Sequence, residues 1–325
     1  MKTIAFFNNK GGVGKTFLVY HLGWNLARQD KRVLLVDLDP QANLTAMCLD
    51  EERLVELWVD QDHARKSIRG ALEPIIQGVG DFEAAHLEAL STRLSLLPGD
   101  IRLSDFEQKL SDAWPRCNDR DPAAFRIVSS FHRIIREAAA RDNAELVLID
   151  VGPNVGAVNR TALIAADFVI TPLGADLFSV QGMKNLGPVL ARWRTEWSER
   201  ISRSPVRDLD LPAGSIRPIG YVVMQPNLYG GQVTKAYDRW MALIPGVYSE
   251  SVLRGPASGA TVATDPNCLA VLRHYRSLMP MAQTARKPIF HLTAADGAIG
   301  AHSEMVRAVG QEFDALRTRI LERVK

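Results

Sequence analysis

The string Lys10-Gly11-Gly12-Val13-Gly14-Lys15-Thr16 limits the folds open to this chain more than any other segment. Before it stands an apolar run, Thr3-Ile4-Ala5-Phe6-Phe7, with the composition of a buried strand. After it, Phe17 to Ala27 reads as a helix. A glycine-rich turn between strand and helix is what cradling a phosphate requires. Glycines let successive backbone N–H groups point inward, and the helix N-terminus adds the positive end of its dipole. Lys15 then reaches β- and γ-phosphates, and the Thr16 hydroxyl meets Mg²⁺. Asn9 stands where a glycine usually opens such a loop, and a second lysine, Lys10, follows it. Lys10 either finds an anion on another subunit or is a solvated lysine beside a glycine turn.

Strand-like runs at 2–7, 32–37, 94–97, 145–150, 167–171 and 217–223 alternate with helix-like stretches. This predicts an α/β fold: a doubly wound, mostly parallel sheet with helices on both faces, forming one domain over 1–325. Ligands in such sheets sit at the carboxyl ends of the strands. Lys15, Asp37, Asp39 and Asp150 all fall at or just after a strand end. Elaborations are expected at about 51–142 and 198–216. Within the first, 51–92 is charged and helical in pattern, and 111–124, with Pro115 and Pro122, reads as a loop. The stretch 198–216, with Pro205 and Pro212, reads as a surface loop. Met224-Gln225-Pro226-Asn227 follows a strand and reads as a polar turn.

Composition narrows the class. Apolar residues make up 46% of the 325, and the net charge is only +2, so the chain can bury a full core. DNA contact would have to come from a local patch. No apolar run approaches the length of a membrane span, and no signal peptide is expected because the first strand begins at Lys2. The same early start argues against a preceding helix-turn-helix domain. Cys48, Cys117 and Cys268 form no CxxC pair and fit a reducing cytoplasm.

The glycine string resembles the deviant Walker A loop of the ParA/MinD family of P-loop ATPases. The segment Lys31–Asn43, containing Asp37-Leu38-Asp39-Pro40, resembles the family's second strand and switch I. Glu145–Pro153 resembles its Walker B strand and switch II, and Asn159–Pro172 the helix and strand that follow. The likeness covers most of 1–50 and 143–190, is patchy over 217–325 and weak over 51–142.

The resemblance implies ATP and Mg²⁺ as cofactors and a catalytic set of Lys10, Lys15 and Asp39. Gly11, Gly12, Val13, Gly14, Lys15, Thr16 and Phe17 would hold the phosphates, and Gln225, Pro226 and Asn227 the adenine. Thr16, Asp37 and Asp150 would serve the metal, with Asp39 orienting the attacking water. Lys10 corresponds to the signature lysine that crosses an ATP-sandwich homodimer. Switch II usually carries two prolines; Val151-Gly152-Pro153 keeps the second, and Gly152 adds backbone freedom.

The family's ATP state binds nonspecific DNA or membrane, and a partner protein stimulates otherwise slow hydrolysis. Candidate DNA contacts are Arg192, Arg194, Arg200, Arg203 and Arg207, interleaved with Trp193 and Trp197. A second group is Arg254, Arg273, His274, Arg276, Arg286 and Lys287. For a membrane, Phe313, Leu316, Ile320 and Val324 share a helical face near Arg317, Arg319, Arg323 and Lys325. Glu312, Asp314 and Glu322 dilute that charge, and the helix reads as packed on the core. His291–His302 reads as a turn into this last helix. Three functions follow: a ParA-like ATPase positioning DNA or other cargo, a regulatory or defence-associated switch gating a partner protein, and a small-molecule ATP-dependent enzyme. The third needs a substrate pocket with a catalytic Cys or a carboxylate-binding cluster, and none is read.

Overall fold

In the computed structural model, residues 1–59, 66–224 and 235–325 are described. The strands are β1 (Lys2–Phe6), β2 (Val33–Asp37), β3 (Glu88–Ser91), β4 (Leu94–Leu97), β5 (Leu146–Asp150), β6 (Phe168–Gly174), β7 (Arg217–Met224) and β8 (Cys268–Leu272). They form one sheet in the order β3-β4-β2-β5-β1-β6-β7-β8. All neighbours pair in parallel except β3 with β4. The central strands are almost wholly apolar, because a parallel sheet covered on both faces leaves them no solvent side. Register brings Asp150 level with Phe6 on one side and with Asp37 on the other. Three strands thus end at one height.

The helices are α1 (Lys15–Arg28), α2 (Asn43–Cys48), α3 (Glu51–Trp58), α4 (Ile68–Ala71), α5 (Glu73–Gln77), α6 (Phe106–Arg116), α7 (Pro122–Val128), α8 (Ser130–Asp142), α9 (Ala157–Ile164), α10 (Leu177–Ser202), α11 (Lys235–Val247), α12 (Leu278–Ala285) and α13 (Ala301–Arg323). One core layer joins α6 to α10 through Phe106, Phe131, Leu163, Leu190 and Trp197. The opposite layer joins α1, α12 and α13 through Phe17, Leu22, Leu278 and Phe313. No helix among the described residues is long and apolar enough to cross a membrane.

Three sequence expectations need correction. Residues 88–91 form an edge strand inside the stretch read as helical. Residues 111–124 are largely helical. Pro115 sits in the last turn of α6, and Pro122 opens α7, where its missing N–H costs no helix bond. Strand β8, Cys268–Leu272, went unread although the turn residues Asp265-Pro266-Asn267 stand directly before it. The loop after α10 does start late, at Arg203, and it is tied down. The Trp197 indole donates to the Pro212 carbonyl at 2.8 Å.

Helix α13 follows the 291–302 turn, and its apolar stripe of Phe313, Leu316, Ile320 and Val324 is buried against the core. Phe313 is fully buried, its ring centroid 5.4 Å from His21 and 5.8 Å from Phe290. We expect Phe313→Ala to cost roughly 3–5 kcal/mol in denaturant unfolding. A cost under about 1 kcal/mol would mean that this helix is not part of the cooperative core.

Candidate functional site

The loop after β1 turns through Gly12 and Gly14, whose φ angles of 71° and 77° lie in the left-handed region that strains a side chain. Gly14 caps α1 without a side chain, which leaves the first N–H groups of that helix facing the cavity. The cavity measures about 800 Å³ and is lined by Gly11 to Phe17, Asp39 and Pro153. A neighbouring hollow of about 430 Å³ shares Gly12, Gly14 and Phe17 and adds Lys10, Met224 and Tyr275. Phe17 therefore serves both spaces; it is itself buried, 3.9 Å from the His21 ring.

Lys15 is 6% exposed, and burial lowers its pKa against the opposing pull of Asp150 and Asp39. The Thr16 hydroxyl donates to Asp150 Oδ2 at 2.6 Å. Asp150 is fully buried and its Oδ1 has no hydrogen-bond partner among the described residues. Burial, reinforced by the charge of Asp37, pushes the Asp150 pKa well above the usual carboxylate range. A hydroxyl and a carboxylate with one unpartnered buried oxygen form a hard-oxygen donor set. They fit Mg²⁺, which takes one or two protein oxygens and fills its shell with water and phosphate.

Asp37, the other residue expected to support the metal, is fully buried and well hydrogen-bonded. Its Oδ2 accepts from the Thr45 N–H at 2.8 Å and the Thr45 hydroxyl at 2.7 Å, and its Oδ1 from the Asp39 N–H at 3.2 Å. Both oxygens of Asp37 thus take part in fixing the turn into α2. Burial raises its pKa to about 7. Asp39 is 6% exposed and lines the cavity, and its Oδ1 accepts from the Gln41 N–H at 3.0 Å. Gly152 is needed for space more than for freedom: a Cβ there would lie 3.2 Å from Asp39 Oδ1.

Lys10 Nζ pairs with Asp176 Oδ2 at 2.6 Å. Asp176 also caps α10 by accepting from the Ser179 N–H at 2.9 Å. Sequence reasoning missed this partner. The Asp-x-x-Ser pattern announces a helix cap, but no local signal ties it to a lysine 166 residues away. Gln225, Pro226 and Asn227 lie outside the described residues.

The candidate DNA contacts divide. Trp193 and Trp197 are core residues, not surface aromatics. Arg200 is corrected as well: it is 7% exposed, donates to the Trp114 carbonyl at 2.9 Å, and lies 4.4 Å from the Trp114 ring. Arg194 is half-buried, and Lys287 pairs with Asp296 at 2.8 Å. Arg192, Arg203, Arg207, Arg254, Arg273, His274, Arg276 and Arg286 are exposed, although Arg273 pairs with Glu312 at 2.9 Å.

Asp37 and Asp150 both hold a proton more tightly folded than unfolded. Nucleotide-free protein therefore loses stability as pH rises from about 4, where unfolded carboxylates ionise, through the raised folded values. In EDTA at pH 8 we expect Asp150→Asn to melt at least about 2 °C above wild type, the shift that roughly 1 kcal/mol gives a chain of this size. The difference should close by about pH 4, where both proteins carry a neutral side chain. A lower melting temperature for the variant at pH 8 would refute the assignment of a costly buried charge.

The comparisons with known proteins agree with this geometry. A family model described as an AAA domain matches residues 1–202. A virulence plasmid ParA family protein of Chlamydia psittaci is 29% identical over 187 residues, 57% of this chain and 62% of that protein. The chromosome-partitioning ATPase Soj of Thermus thermophilus is 31% identical over 202 residues, 62% of this chain and 66% of that protein. The match thus spans less than two thirds of either relative's length. Among solved structures, a Corynebacterium diphtheriae protein superposes with a TM-score of 0.71 at 23% identity, covering 100% of this chain and 99% of its own. An ATP complex of Cyanothece McdA gives 0.64 at 15% identity, covering 98% and 96%. Both share the fold. With the strand–glycine loop–helix and the Thr16–Asp150 contact in place, the chain belongs to the ParA/MinD family of P-loop ATPases.

Proposed function

We propose that this chain binds and hydrolyses ATP as a nucleotide-sandwich homodimer, and that its ATP state binds nonspecific DNA to position or segregate DNA or other cargo. The observation that carries the ATPase reading is the convergence of Lys15, Thr16 and Asp39 on one cavity at a helix N-terminus that has no side-chain cap, with the buried Asp150 held against Thr16. Lys15 and the loop N–H groups bind the phosphates. Thr16 and Asp150 would hold Mg²⁺, which supplies charge neutralisation on the β- and γ-oxygens. Asp39 orients water, and Asp37 keeps Asp39 in place through its backbone N–H. Lys10 leaves Asp176 and contacts the partner subunit's nucleotide, as an arginine finger would, so hydrolysis depends on dimerisation. A partner protein stimulates the otherwise slow cycle.

DNA binding is supported by exposed arginines near the nucleotide: Arg286 lines the main cavity, Arg273 lines the neighbouring hollow, and Arg276 stands beside it in sequence. Their contacts would go to phosphates and carry no sequence information. A switch acting on a partner protein is the second reading. It is favoured by the binding of α6 to the start of α9, just past switch II.

Asp39→Ala should keep ATP affinity and lower kcat by roughly 10²-fold or more, as loss of a positioned acid–base or water-orienting group does. Lys10→Ala should bind ATP but neither dimerise nor hydrolyse it. Electrophoretic shift with random duplex tests the rest. Wild type and Asp39→Ala should bind only with ATP and lose affinity steeply with salt, and Lys10→Ala should fail. If all three ignore DNA while wild type dimerises with ATP, the partner-protein reading replaces DNA positioning.

A further inference from the structure

Glu107 lies on α6, where the family likeness is weakest, yet it holds the segment that follows switch II. Helix α9 starts after Gly156, which has no side chain to cap it. The cap comes from α6. The Glu107 carboxylate accepts from the N–H groups of Ala157 and Val158, the second at 2.8 Å. A carboxylate on two such groups is favoured by its charge and by the helix dipole. Two residues on, the buried Asn159 amide donates to the carbonyls of Gly152 at 2.9 Å and Asn154 at 2.7 Å. Gly152 in turn packs on the Asp39 carboxylate. Helix α6 holds α9 a second time through Trp114, whose ring lies 4.1 Å from the Arg160 guanidinium.

We propose that Glu107 is a positioning residue that couples α6 to switch II, so that the placement of Gly152 and Asp39 at the reacting phosphate follows the position of α6. The inference rests on the ATPase reading and adds a residue and a route to it. It also assigns a role to α6, which the Walker motifs leave without one.

Gly156 offers the decisive control. A Cβ at this position would sit 2.5 Å from Glu107 Oε1, so Gly156→Ser displaces the carboxylate while giving α9 a cap of its own. The experiment measures ATP affinity, kcat, melting temperature and hydrogen exchange of 106–116 with and without ATP. Wild type should show ATP-dependent slowing of exchange in 106–116. Glu107→Ala should keep ATP affinity, lose that response and lower kcat about tenfold, a barrier increase of about 1.4 kcal/mol. Gly156→Ser should do the same at an unchanged melting temperature. If Gly156→Ser keeps full kcat, or restores it in the Glu107→Ala background, Glu107 is only a cap and the inference falls. It falls equally if Glu107→Ala retains full kcat while wild type hydrolyses ATP. A wild type that binds no ATP overturns both this inference and the ATPase reading beneath it.

Discussion

Three parallel strands end level with one another, and the site follows from that register. Pairing sets Phe6, Asp37 and Asp150 at the same height, and the chain leaves β1 through two left-handed glycines into α1. The backbone N–H groups of the loop and carboxylates from distant parts of the sequence are thereby brought to one edge. Crowding them has an electrostatic cost. Burial moves Lys15 and Asp150 towards neutrality from opposite sides, and Asp37 with them. Phosphate beside Lys15 and a divalent cation beside Asp150, as the proposed function requires, would oppose both shifts. Ligand binding and stability are therefore linked through the same three side chains.

Helix α10 transmits that edge to the rest of the molecule. Its cap residue, Asp176, holds Lys10. Nearly two turns later Gly182 faces the phosphate loop, where a Cβ would lie 2.6 Å from Asn9 Oδ1 and force that side chain to move. Farther along, Gly187 packs so tightly on the Ser251 backbone that no side chain fits. Near its end, Trp197 stacks on Trp114 of α6 with ring centroids 5.7 Å apart. One rigid element of 26 residues thus touches the signature lysine at one end and α6 at the other.

Much of this was legible in the sequence because the decisive signals are local. The glycine string between strand and helix, the apolar β2 and β5 runs and the aspartates at their ends each declare themselves within a dozen residues. What stayed hidden depends on tertiary partners. Trp193, Trp197 and Arg200 sit among arginines and read as a surface patch, but Trp193 is buried in the core and Trp114 of α6 covers Trp197 and Arg200. Asp37 looks equivalent to Asp39 along the chain; only the position of Thr45 shows that its Oδ2 accepts two hydrogen bonds. Pro115 and Pro122 suggest a loop, yet Pro122 opens α7, where proline is tolerated, and Pro115 falls in the last turn of α6, where only the bond to residue 111 is lost.

The least readable residue, Glu107, sits outside the Walker and switch motifs. Switch II has a glycine in place of one of the family's prolines, and Gly152 brings the loop against Asp39 without stiffening it. Restraint must then come from outside the loop. Asn159 supplies part of it from within α9, and Glu107 holds α9 from α6. A motif that loses intrinsic rigidity and gains an external clamp passes control of its geometry to the clamping element. On this argument α6 is part of the switch, and whatever binds or shifts it acts on the nucleotide site through two hydrogen bonds.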